Sequence, residues 1–259
     1  MLRTLCLLIL ALLTSMSAFA QRLIDMRVAP ISQQDLVRAI RSTPFADEPA
    51  HTLLIGRAGA SHLLPTAYQE YTTLWQDHST DARMNLYRGM AAYQYWQEAM
   101  GTKADPFGSP KAQELIQASK TCLAAAYRLT PSSPNAMMEY GFYLYREEYQ
   151  QTRGMALLHQ AAQMPLARPR VHRLIGELTL LSDPKTSEQE LRLAAKLDPG
   201  YAMPHWYLFH LYAQQKRFHE AQKEMRLYKT MVPQALADSN AVTLYATIID
   251  RGLKERMTR

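Results

Sequence analysis

The sequence predicts an all-α protein built as an array of antiparallel helix pairs, on three observations. Apolar residues recur at helical spacing on either side of short polar turns: Leu208 and Tyr212 precede "QQKR", and Ala221, Met225 and Tyr228 follow it. The same arrangement returns at a nearly constant period, with Gly141, Gly176 and Phe209 at comparable positions 35 and 33 residues apart. That period is too long for a heptad and suits one stacked helix pair per repeat. Pro131, Pro199 and Pro233 stand where successive units close, because proline cannot continue a helix.

The first 20 residues are of another kind. Arg3 precedes the apolar run "CLLILALL", and Ala18-Phe19-Ala20 ends the segment with small-x-small spacing. This pattern reads as an export signal cleaved before Gln21. Its apolar core falls short of the roughly 20 residues that a membrane-spanning helix needs. No second long apolar run follows, so the mature chain is expected to have no transmembrane segment. Cys6 lies within the run and not at its end, which argues against a lipid-anchored cysteine.

Residues 21–80 are expected to cap the array, since an open end would expose an apolar face. Within them "SQQDLVRAI" is a short capped helix, "AHTLLIGRAG" fits either a strand or a loop, and "LPTAYQEYTTLWQDH" is a helix beginning near Pro65. Residues 81–233 carry the repeats. "DARMNLYRGMAAYQYWQEAM" places Leu86, Gly89, Met90 and Tyr93 along one side of a helix capped by Asp81. "GTKADPFGSP" interrupts it, making residues 101–110 an insertion whose Phe107 can pack back or meet a partner, and "KAQELIQASKTCLAAAYRLTP" supplies the second helix.

The next unit runs through Tyr140, Gly141 and Leu144, a turn near "REEYQQT", then Gly154, Leu158 and Ala161. Another opens at Ile175 and Gly176, crosses "SDPKTSEQE" and closes through Leu191, Ala194 and Pro199; Ser187 and Glu190 have capping-box spacing there. Residues 234–259 offer a closing helix from about Asn240, with Leu244, Ile248 and Leu253 in its stripe, and a basic tail.

These residues resemble the tetratricopeptide repeat. Gly141 and Gly176 match its first small position, Gly154 and Ala221 its second, and Ala126, Ala161, Ala194 and Tyr228 the later one, while "KLDPG" and "YRLTPSS" are similar to its repeat junctions. Phe209 departs from the pattern, His205 replaces an expected aromatic with Trp206 beside it, and the unit containing Gly154 needs an insertion. The resemblance implies a right-handed superhelical solenoid whose concave side binds a protein or peptide. Its expected contacts are Tyr143, Arg146, His172, Arg173, Trp206 and Arg226. Trp and Arg can contribute large binding terms once desolvated.

No motif for chemistry emerges. The mature chain keeps a single cysteine, Cys122, in a helical apolar pattern, which excludes an internal disulfide framework and any CxxC site. The eight histidines form no HExxH, and His205 and His210 are five apart, so they do not share a helix face. "GRAG" lacks the GK[ST] of a phosphate loop, and GxSxG is absent. No pair of carboxylates is positioned for acid–base work. Neither a cofactor nor a resident metal is expected, and enzyme function is disfavoured.

The formal net charge is +6, which favours anionic partners or surfaces. The basic clusters at Arg168, Arg170 and Arg173 and in "RGLKERMTR" lack the interleaved aromatics that stack bases. Together with the export signal this argues against nucleic acid. The expected function is a non-catalytic protein-interaction adapter in the bacterial periplasm or cell envelope, or secreted; the alternatives are a structural component of an envelope assembly and, less favoured, an enzyme formed around an atypical N-terminal region.

Overall fold

A computed structural model describes residues 30–101, 109–165, 168–232 and 247. The described residues form helices without any strand. In chain order these are α1 (Gln33–Ser42), α2 (Glu48–Ala60), α3 (Leu64–Asp77), α4 (Ala82–Gly101), α5 (Pro110–Leu129), α6 (Pro134–Arg146), α7 (Gln151–Ala162), α8 (Pro169–Thr179), α9 (Pro184–Leu197), α10 (Ala202–Gln214) and α11 (Phe218–Met231). The chain divides into two compact units at Tyr143/Leu144, inside α6. The export signal, the insertion residues 102–108 with Phe107, Pro233 and the closing helix from Asn240 lie outside the described residues.

In the first unit, local capping sets the helix starts. The Ser32 hydroxyl accepts from the Asp35 amide, and α1 then buries Leu36 and Ile40. The segment "AHTLLIGRAG" is neither strand nor loop: it lies in α2, whose start is capped by Asp47 accepting from the Ala50 amide, with Pro49 in the first turn. Its apolar run reads ambiguously because the buried side combines Leu54 and Ile55 with His51, Gly56, Ala58 and Gly59. Those small residues carry little hydrophobic signal yet allow close packing. Asp81 receives the amides of Arg83 and Met84 and starts α4.

Helices α4 and α5 form the principal helix pair of this unit. A Cβ built on Gly89 would stand 2.9 Å from Leu123 Cγ, so glycine allows the two helices their separation. Around this pair lies an aromatic core. Tyr93 stacks on Trp96 and meets Tyr143 edge-on, and Tyr87 is fully buried.

In the second unit α8 packs on α9 and α10 on α11, with α9 against α10. Gly176 repeats the close approach: its Cβ would lie 2.5 Å from Leu191 Cγ. The capping box at Ser187 and Glu190 does not form. Asp183, followed by Pro184, begins α9 earlier by accepting from the Thr186 amide. Ser187 therefore lies inside the helix, where its hydroxyl donates to the Gly176 carbonyl at 2.7 Å. One repeat later the bulky Phe209 occupies the comparable position, and α10 is buried at every residue from Ala202 to Tyr212.

Among the described residues, three turns use a left-handed residue that is not glycine: His62 (φ 55°), Tyr149 (φ 54°) and Lys216 (φ 59°). In each, the next amide reaches back into the preceding helix, Leu63 to Ala58, Gln150 to Leu144 and Arg217 to Tyr212. The reversal thus satisfies carbonyls that a helix end leaves open.

Candidate functional site

Of the six residues expected to contact a partner, four are buried and two are exposed. Tyr143 belongs to the first unit, is 1% exposed, and donates to the Ile116 carbonyl at 3.3 Å. Trp206 is also 1% exposed, against Phe209, His210 and Tyr228. Both are interior packing residues in this structure and present no accessible face. The helical pattern did not distinguish that burial from a concave position, because both place an aromatic at the same spacing along the helix.

His172 and Arg173 are buried polar groups held inside the second unit. His172 Nδ1 lies 2.7 Å from Glu190 Oε2 and ties α8 to α9. Arg173 donates to the Tyr201 hydroxyl at 3.1 Å and to Glu177, with its guanidinium 6.0 Å from the Tyr207 ring centre. A guanidinium committed to these groups satisfies an internal seam where one repeat meets the start of the next. Arg146, near the end of α6, and Arg226, on α11, are the exposed members of the set.

A regularity along the chain explains His172. His205 Nδ1 lies 2.6 Å from Glu224 Oε2, tying α10 to α11. From His172 to His205 is 33 residues and from Glu190 to Glu224 is 34, so the same tie occurs at the same place in two consecutive helix pairs. The spacing was visible in the sequence, but each histidine and its glutamate lie on different helices, 18 and 19 residues apart. Only the pairing of the two helices brings them together.

A second polar network went unseen. Glu188 of α9 accepts from Arg217 at 2.7 Å and from the Tyr212 hydroxyl at 3.0 Å, and pairs with Arg192 at 2.8 Å. Arg217 also pairs with Glu220, and its guanidinium stands 4.2 Å from the Tyr212 ring centre. The hydrogen bond from Arg217 holds the Glu188 carboxyl below the ordinary carboxylate range. In the first unit Arg88 stacks 4.2 Å from the Trp75 ring centre and donates to Cys122 Sγ at 3.1 Å. Burial pushes the Cys122 thiol up, against the pull of Arg88, which keeps the sulfur a protonated core group and a poor nucleophile.

His51 is fully buried, 3.0 Å from the Tyr71 hydroxyl and stacked on Tyr87. Burial lowers its pKa, opposed by the Pro44 and Thr43 carbonyls. Among the described residues no three His, Cys, Asp or Glu side chains are grouped to hold a metal ion, and no helix is long and apolar enough to cross a membrane. The arrangement does two things chemically: it locks helix pairs with polar ties, and it leaves charged residues on the outside.

No family model matches the chain, and no curated protein matches it. Among solved structures it is similar to a thermophilic TPR protein of Thermus thermophilus, with 15% identity and a TM-score of 0.49, over 64% of this chain and 81% of that one.

Proposed function

We propose that the chain is an exported, tetratricopeptide-type repeat protein of the periplasm or cell envelope that works as a non-catalytic adapter for another protein or peptide. The observation that carries this reading is the repeated unit: His172–Glu190 and His205–Glu224 bridge consecutive helix pairs at the same register. A repeated, internally satisfied scaffold commits its buried chemistry to rigidity and leaves recognition to exposed side chains. The sequence pattern of an export signal supports the address.

The test is cross-linking and affinity purification of the chain from its host, with Arg146→Glu and Arg226→Glu alongside. A reproducible protein partner whose recovery falls in these variants, with unchanged thermal unfolding, supports the adapter. Intact mass beginning at Gln21 in an envelope or secreted fraction supports export. Recovery of a full-length cytoplasmic chain, or recovery of no specific partner, overturns the corresponding half of the reading.

A further inference from the structure

The second unit segregates its charges. Helices α7 to α11 carry the carboxylates Glu177, Glu188, Glu190, Glu220 and Glu224, and all have partners inside the unit. Glu177 takes Arg173, Glu188 takes Arg217 and Arg192, Glu190 takes His172, Glu220 takes Arg217, and Glu224 takes His205. The other acids lie at the helix ends and turns: Asp183 caps α9, Asp198 receives the Gly200 amide, and Glu147 and Glu148 lie between α6 and α7. Lys196, Lys223 and Arg226, by contrast, are exposed. Glu220, half-exposed beside them on α11, is held by Arg217, so Lys196, Lys223 and Arg226 leave the outward sides of α9 and α11 with a positive excess.

The same sides are apolar in a regular way. Leu193 and Leu197, one helical turn apart on α9, are 38% and 48% exposed. At the equivalent places on α11, Leu227 and Met231 are half-buried. Glu190 and Glu224 both turn inward to a histidine, so the two helices present the same register outward. Arg217, the residue preceding α11, reaches Glu188 in the second turn of α9, which links the start of α11 to α9.

We propose that this outward side of α9 and α11 docks on an anionic lipid bilayer. A bilayer surface offers both complements at once: headgroup phosphates for Lys196, Lys223 and Arg226, and the acyl boundary for Leu193 and Leu197. A nucleic acid or a uniformly acidic segment would meet the cations but leave the leucines in water, which is why the lipid surface fits better. Lysine and arginine also suit it sterically, since long stems lie along apolar surface while the charged heads reach the headgroups. Arg226 is shared with the adapter test, but this test contains no protein partner and adds Lys196, Lys223, Leu193 and Leu197, so the two readings fail separately.

The experiment is co-sedimentation of the full chain, as its host accumulates it, with vesicles of phosphatidylglycerol and phosphatidylcholine or of phosphatidylcholine alone. The expected result is binding to the anionic vesicles only, weakened by added salt. Each cation contributes roughly fivefold to partitioning, so Lys196→Gln, Lys223→Gln and Arg226→Gln combined should lower it by roughly 100-fold. Leu193→Gln with Leu197→Gln should lower it by about tenfold or more. Circular dichroism and thermal unfolding of the variants, all at exposed positions, confirm that they remain folded.

Equal binding to both vesicle types would assign membrane contact to an apolar segment elsewhere and overturn the proposal. Absence of binding to either, or partitioning unchanged by the substitutions, overturns it as well. Cation-dependent retention on heparin or polyglutamate, without vesicle binding, would assign the surface to an acidic macromolecule instead.

Discussion

Gly176 stands so close to Leu191 that a Cβ added to it would lie 2.5 Å from Leu191 Cγ and 3.2 Å from the Ser187 carbonyl oxygen. The second distance involves helix backbone, which cannot rotate out of the way. Gly176→Ala should therefore push α8 from α9 and destabilise the chain by about 1–3 kcal/mol. Gly59→Ala is the control, because its Cβ would find nothing nearer than 3.8 Å; there the better helix propensity of alanine should leave stability unchanged or raise it by up to about 1 kcal/mol. Urea unfolding of both variants checks the contrast, and equal effects would remove the close approach as the reason for glycine.

Lys216 holds a left-handed conformation at φ 59° in the turn between α10 and α11. A side chain there costs about 1–2 kcal/mol, which glycine avoids at an entropic cost of roughly 0.5–1 kcal/mol. Lys216→Gly should accordingly stabilise by up to about 1 kcal/mol, and Lys216→Val, whose branched Cβ resists the conformation, should destabilise. Thermal midpoints in the opposite order would show that the turn relaxes to another geometry.

Arg173 and Arg226 separate structural from surface roles. Removing Arg173 leaves Glu177 and the Tyr201 hydroxyl without its hydrogen bonds in a buried seam. Arg173→Ala should cost about 2–4 kcal/mol. Arg226 is exposed on α11, and Arg226→Ala should change stability by less than about 0.5 kcal/mol. Chemical denaturation distinguishes them; a small loss at Arg173 would mean that water replaces its partners.

The fold should weaken in mild acid. Burial pushes the His210 imidazole from its ordinary 6.5 down to about 3, against Trp206 and Phe209. The unfolded chain takes up a proton that the folded chain refuses, so this contribution is complete above about pH 6.5 and is lost as pH falls toward 3. The slope is about 1.4 kcal/mol per pH unit for this residue, and His51 adds to it in the same direction in the other unit. Denaturation between about pH 7 and pH 5 should show a shallower dependence for His210→Phe than for the parent chain. Equal slopes would exclude His210 as the source.

Sequence and tertiary structure divide this protein along a physical line. Local signals were enough for the helices: Ser32, Asp47, Asp81 and Asp183 cap helix starts through their own neighbours' amides, and Asp81 was readable as such from the chain alone. The period linking Gly176 and Phe209, with Pro199 between them, was likewise enough for the paired helices α8–α9 and α10–α11, because a repeat is written along the sequence. The glycine contact at Leu191 follows the same logic, since a small residue recurs where two helices must approach. Even so, α2 escaped, as its packing face uses glycine and alanine and gives no strong apolar period.

What the sequence did not decide was direction. Tyr143, Trp206, His172 and Arg173 occupy helix positions that point either outward or into the next helix, and the choice depends on neighbours tens of residues away. Ser187 and Glu190 had the spacing of a local cap, yet they bridge to Gly176 and His172 because α9 begins at Pro184. The outward cations and leucines of α9 and α11 became a surface only when the inward glutamates found their partners. Capping and helix period are short-range and legible in the chain, whereas burial and charge pairing arise from the packing of distant segments and belong to the tertiary structure.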